Sequence, residues 1–230
     1  MNALLFLAEF PNDSGPVYTE TVQGRFPVEP FNTFSNLFFL AIVIYFSYRV
    51  YKNYKAQLFL SFALPILFIG WLGGTIYHAT RSHEIWLLMD WVPIDILCLA
   101  ASLYFASKAS AKKRQVIGLM ILVLLLVLGV RFIPFRTHGQ TYSYIATAIG
   151  LLLPIGIHIY QTRFKHSKFM AFAVLSFAVA ISFRALDRYI HFSMGTHWLW
   201  HSFGAFSVFF LMKYIFHDAK TSQLLNPDFK

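Results

Sequence analysis

The 230-residue chain is 57% hydrophobic and 19% aromatic but only 13% charged, with a mean hydropathy of +0.57. That make-up excludes an ordinary soluble domain of this length and points to a polytopic membrane protein. The net charge of +9 is spread between apolar runs rather than gathered in one patch, which argues against nucleic-acid binding and for cationic loops at a membrane face.

In chain order, the opening MNALLFLAEF is apolar but short, lacks a basic flank and carries Glu9. It reads as a peripheral N-terminal segment rather than a cleaved signal, at the start of an outer segment over residues 1–30. Apolar runs of roughly 20 residues, long enough to cross a bilayer, then recur seven times, near 33–51, 57–78, 85–106, 115–133, 142–161, 169–190 and 197–216. Only helices satisfy their own backbone in lipid without closing a barrel, so the expectation is all-α: one seven-transmembrane-helix bundle spanning 1–230, with a short tail at 217–230. The single cysteine, Cys98, lies inside an apolar run and permits no intrachain disulfide.

The loops set the orientation. Arg49, Lys52 and Lys55 follow the first run, Lys108, Lys112, Lys113 and Arg114 the third, and Arg163, Lys165 and Lys168 the fifth. Lys213 and Lys220 flank the end of the seventh; the fourth connection, with Arg131 and Arg136, breaks the alternation mildly. The positive-inside rule places the C-terminus in the cytoplasm and the N-terminus outside.

Ionisable groups in membrane spans are costly and call for an explanation. Here they gather at the outer end. Asn32, Ser35 and Asn36 open the first span, His78 closes the second, and Asp90 opens the third. Asp187 lies near the outer end of the sixth, and His197 and His201 open the seventh behind Thr196, a plausible N-cap. Two histidines at i and i+4 share a helix face, and a third from another helix leaves one tetrahedral position of a zinc ion for water. HWLWH lacks the glutamate of H-E-x-x-H, so a general base must come from elsewhere, and Asp90 is the candidate. Spacing alone also fits core histidines packed among aromatics; His78 and Asp90 at the same end weigh towards a metal.

The motifs EPFNTFSN, GGTIYHAT, LLMDWVP, ALDR and THWLWH stand in the order and helix positions of the alkaline ceramidases, which the chain resembles from about Glu29 to Phe210. These belong to a seven-helix hydrolase superfamily that also includes adiponectin-type receptors and haemolysin III-like proteins. The resemblance implies a zinc-dependent hydrolase that uses water to cleave the amide of ceramide or a similar long-chain N-acyl lipid. Its zinc ligands would be His78, His197 and His201, its catalytic aspartate Asp90, and its sixth-helix aspartate Asp187. Asn32 and Ser35 would support the site. Two departures stand out. The serine one turn before the first zinc histidine is replaced by Gly74, leaving neighbouring Thr75 as a substitute hydroxyl. The acidic calcium site near the family's N-terminus is thin here, with Asp13, Glu20 and Glu29 in place of a dense cluster, so Ca2+ is an open question.

Blander readings stand beside these. Asp90 also suits a helix-start carboxylate, and Asp187 a salt bridge with Arg184 and Arg188. Asp95, deeper in the third span, reads as a hydrogen-bond partner within the bundle. His83, His138, His166, His191 and His217 read as solvated, and His158 as a packing or interface residue at the inner end. A receptor-like or haemolysin III-like protein without efficient hydrolysis would keep the same ligands. A retinal-type protein would need a lysine midway along the last span, where none occurs.

Overall fold

In the computed structural model, residues 10–110, 112–132, 139–187, 189–190 and 192–225 are described. They form helices α1 (Pro30–Ser35), α2 (Leu37–Val50), α3 (Leu58–Thr80), α4 (Glu84–Ala109), α5 (Lys113–Gly129), α6 (Gly139–Gln161), α7 (Ser167–Leu186) and α8 (His197–Leu225). No strand occurs among the described residues. Among the described residues, six helical stretches are long and apolar enough to cross a membrane, the make-up of a multi-pass membrane protein. The first of them, Pro30–Thr80, is 51 residues long. It is interrupted at Asn53 (φ −150°, ψ 70°) within a 3₁₀ segment, and α2 packs back on α3.

Each helix packs on its neighbours in a ring, α2 on α3, α3 on α4, α4 on α6, α6 on α7, α7 on α8 and α8 on α2. Helix α5 leans on α4 and α6 from outside, and short α1 is wedged between α3 and α8. Phe46, Leu60, Leu64, Leu67, Phe105, Ile155, Tyr214 and Ile215 fill the shared interior. Large apolar side chains such as Leu125 and Leu175 face outward, as lipid contact requires.

The joint between α3 and α4 decides where the polar residues land. A Cβ on Gly70 would stand 3.4 Å from Pro93 Cβ, one on Gly73 would overlap Met89, and one on Gly74 would meet Asp90 Oδ1. This small face lets α4 approach closely, as small residues do between membrane helices, and brings Asp90 against the end of α3 that carries His78.

The first apolar run is two helices meeting at Asn36, not one. The opening residues 1–9, read as peripheral, lie outside the described residues; beyond them Glu20, Val28 and Glu29 are buried and 10–29 packs across the bundle's end. The tail from 217 is not a separate appendage, because α8 runs on to Leu225. Its extension is anchored by Asp218, which accepts from Lys108 Nζ at 2.5 Å and pairs with His158 Nε2 at 2.9 Å, tying α8 to α4 and α6. His158 thus sits at an interface between helices as a partner of Asp218.

Candidate metal centre

The C-terminal end of α3, the N-terminal end of α8 and the segment before α1 meet at one point. There the imidazoles of His78, His197 and His201, all buried, bring one nitrogen each to within 4.8 Å of one another. His197 Nε2 and His201 Nε2 are 3.1 Å apart. Ligand nitrogens about 2.0–2.1 Å from a zinc ion stand about 3.3 Å apart across a tetrahedral edge, so this pair already has the spacing a metal needs. Among the three, His78 Nε2 is buried with no hydrogen-bond partner, as is His201 Nδ1. An orphaned buried nitrogen is costly unless something binds it. A cation shared by the three rings relieves His78 Nε2, so the residues present fit zinc.

Each histidine is held from behind. His78 Nδ1 lies 2.5 Å from Glu29 Oε2; an ionised carboxylate only accepts, so Nδ1 carries a proton and Nε2 is the nitrogen left for a metal. This carboxylate–histidine arrangement fixes the tautomer of metal-binding imidazoles. Glu29 is itself fully engaged: Thr21 Oγ1 and Arg81 NH1 each donate to its Oε1 at 2.6 Å, and Asn32 Nδ2 to its Oε2 at 3.1 Å. Burial alone would raise the Glu29 carboxyl, but the His78, Thr21 and Arg81 contacts outweigh it and hold it down to about 2. Tyr18 stacks on His197, ring centroids 3.8 Å apart.

Asp187 fixes the other pair. Its Oδ1 accepts from Thr196 N at 2.6 Å and His197 N at 2.9 Å, satisfying donors that the start of α8 would otherwise leave bare. Thr196 is not the cap: its hydroxyl donates to Phe183 O at 2.9 Å. Gly195, at φ +58°, allows the turn, and a Cβ there would stand 2.7 Å from Asp187 Oδ1.

A cavity of about 220 Å³ runs from this end along the bundle interior, with little polar lining. Asn36, Asp90 and His201 line it at the histidine end, and Ile155, Met170 and Leu211 further along. From His201 to Leu211 the wall of α8 runs about 15 Å at 1.5 Å per residue. Trp71 also lines it and has an indole Nε1 without a partner, and Asp95 faces the same space.

The structure thus gathers His78, His197, His201 and Glu29, with Asp90 and His201 lining one cavity. Asn32 supports Glu29, whereas the Ser35 hydroxyl donates to Asn32 O at 2.9 Å. The Thr75 hydroxyl donates to Trp71 O at 2.7 Å, within its own helix, and Thr75 is not among the residues lining the cavity. The Asp90 carboxylate occupies the space a side chain at 74 would take. Asp13 and Glu29 meet at the guanidinium of Arg81, not at an open oxygen cage. His83 caps α4, its Nδ1 accepting from Ile85 N at 3.0 Å, and His217 stacks on Phe169 instead of lying free. Arg136, His138, Arg188 and His191 lie outside the described residues.

Comparison with protein-family models and with curated proteins finds no match for this chain.

Asp187→Ala removes the acceptor of two backbone N–H groups at the head of α8. The expected cost is about 1–2 kcal/mol, seen as a lower thermal unfolding midpoint in detergent. An unchanged midpoint would show that Asp187 does not hold α8.

Proposed function

We propose that this chain is a zinc-dependent membrane hydrolase that cleaves the amide bond of an N-acyl lipid, ceramide or a close analogue, and that it belongs with the alkaline ceramidases its motifs resemble. The observation that carries the reading is three buried imidazoles, one with an orphaned Nε2, of which His201 lines a largely apolar cavity together with the Asp90 carboxylate. His78, His197 and His201 would hold the ion. When bound, zinc supplies Lewis acidity, bringing the pKa of water near neutrality and polarising a carbonyl.

The rest is the work of the protein's own groups. The cavity takes the acyl chain along Ile155, Met170 and Leu211, which leaves the amide at the histidine end. Trp71 Nε1–H is a donor available to a polar group of the lipid there. Asp90 accepts a proton from the attacking water at a carboxylate oxygen. It then delivers that proton to the departing nitrogen as the C–N bond breaks and the new C–O bond is kept, giving a fatty acid and an amine. Glu29 holds His78, and Asp187 holds the His197 end of α8. Calcium has no part in this reading, because Arg81 already fills the space between the carboxylates of Asp13 and Glu29.

We also read Pro30–Thr80 as two crossings. A continuous helix of 51 residues would be about 75 Å long, more than twice the hydrocarbon thickness, and it breaks at Asn53. That makes seven spans, with the N-terminus and the histidine cluster on the outer side and the cationic loops inside. A reporter fused at the C-terminus should read cytoplasmic and one at the N-terminus outside; the reverse pair would invert the orientation and move the cluster to the inner leaflet.

Two measurements test the chemistry. Purified protein should carry about one zinc per chain, and the double variant His197→Ala/His201→Ala should lose it; full occupancy in that variant would refute the site. Asp90→Asn should retain zinc while turnover of a fluorescent long-chain N-acyl lipid falls about 10²–10⁴-fold. Normal turnover would remove Asp90 from the reaction. Zinc binding without turnover in the unaltered protein would favour the receptor-like reading.

A further inference from the structure

The segment from Asn12 to Glu29 crosses the end of the bundle as a strap over the histidine cluster, and one side chain pins it. Arg81 NE and NH2 donate to Asp13 Oδ2 and Oδ1 at 2.9 and 2.7 Å, in the bidentate geometry that makes guanidinium–carboxylate pairs strong. Arg81 NH1 donates to Glu29 Oε1 at 2.6 Å and Pro16 O at 3.1 Å, and NH2 also reaches Gly15 O at 3.3 Å. Two carboxylates and two backbone carbonyls therefore converge on one buried cation, 1% exposed and lying over the Tyr77 ring at 4.7 Å. Converging carboxylate and carbonyl oxygens are what a hard divalent ion requires, yet the centre here is a guanidinium.

The backbone gives a second, independent sign. Arg81 ends α3 with φ +47° and ψ 38°, a left-handed conformation that glycine or asparagine would adopt at lower cost. A non-glycine residue persists there when its surroundings over-determine it. The conformation turns the chain at the end of α3 and leaves the side chain among the acceptors of the strap.

We propose that Arg81 is the strap's built-in cation and a positioning residue for the metal centre: it takes the place a calcium ion would need, closes the strap over His197, and through Glu29 holds His78 with Nε2 turned to the other two histidines. The role of Arg81 in the centre rests on the zinc reading above; its role in closing the strap does not. The strap's closure is independent of calcium, because the charge that closes it is covalently part of α3. Glu29 has one oxygen on Arg81 and the other on His78, so loss of the guanidinium frees the carboxylate to move and loosens the imidazole behind it.

The test compares the full-length protein with Arg81→Ala and Arg81→Lys in detergent. Chymotrypsin cleavage after Tyr18, which packs on His197, reports the strap with or without metal; zinc loss to a chromogenic chelator reports the centre. In Arg81→Ala, cleavage after Tyr18 should be at least about tenfold faster and zinc loss about tenfold faster, the lower end of the effect seen when support behind a metal ligand is lost. Arg81→Lys, which keeps the charge but not the fork, should fall between, and guanidinium ion at non-denaturing concentration should slow both processes in Arg81→Ala. Calcium and calcium chelators should change neither in the unaltered protein. Equal protection of Tyr18 in Arg81→Ala would overturn the proposal, as would a calcium-dependent slowing of either process in the unaltered protein. If Arg81→Ala does not fold, Arg81→Lys and the calcium titration decide. Absence of zinc from the unaltered protein would refute the zinc reading alone, while strap cleavage would still decide the closing role of Arg81.

Discussion

The hydrogen bond between Glu29 and His78, 2.5 Å long and shut away from solvent, is the constraint on which the rest of this end of the molecule depends. A carboxylate buried without partners would neutralise or move towards water. Glu29 instead has four polar side chains around it, from Thr21, Asn32, His78 and Arg81, and stays charged. Those contacts draw in the strap, α1 and the end of α3 together. Removal of any one would leave a buried charge under-compensated, and so the strap, the short helix and the histidine are stabilised jointly.

Helix packing determines what the histidines face. Glycines 70, 73 and 74 let α4 close on α3, which sets Asp90 beside the polar end of the cavity and leaves the apolar remainder running down the bundle. The opposite end is closed differently, by Lys108, Asp218 and His158 joining three helices. The molecule thus has two polar ends of unlike character: a histidine-rich one at one end of a cavity, and a paired one that anchors the last helix. In the proposed reading this asymmetry is what catalysis on a lipid requires, with rigid ends around an apolar slot.

Much of this was legible in the sequence, because lipid imposes simple rules on composition. The helices fall close to the apolar runs, as Glu84–Ala109 and Gly139–Gln161 illustrate. His78, His197 and His201 were recognisable from i, i+4 spacing and from their place at one end of the bundle. What stayed hidden depends on contacts between residues far apart in the chain. Arg81 meeting Asp13 across 68 positions has no periodic signature, nor does Asp218 meeting Lys108 across 110. The Thr75 bond has a local reason: threonine in a helix interior bonds its own preceding turn. Thr196 lost the cap to Asp187, a stronger acceptor brought in by a glycine turn.

The proposed chemistry requires the three imidazoles to share one ion. X-ray absorption at the zinc edge of the purified, full-length protein tests this most directly, because it reads the ligands themselves without relying on activity. The account predicts a four-coordinate shell of three imidazole nitrogens and one oxygen at about 2.0–2.1 Å, with the outer-shell scattering of histidine rings. A zinc shell without imidazole scattering, or protein that binds no zinc from a zinc-replete buffer, would contradict it.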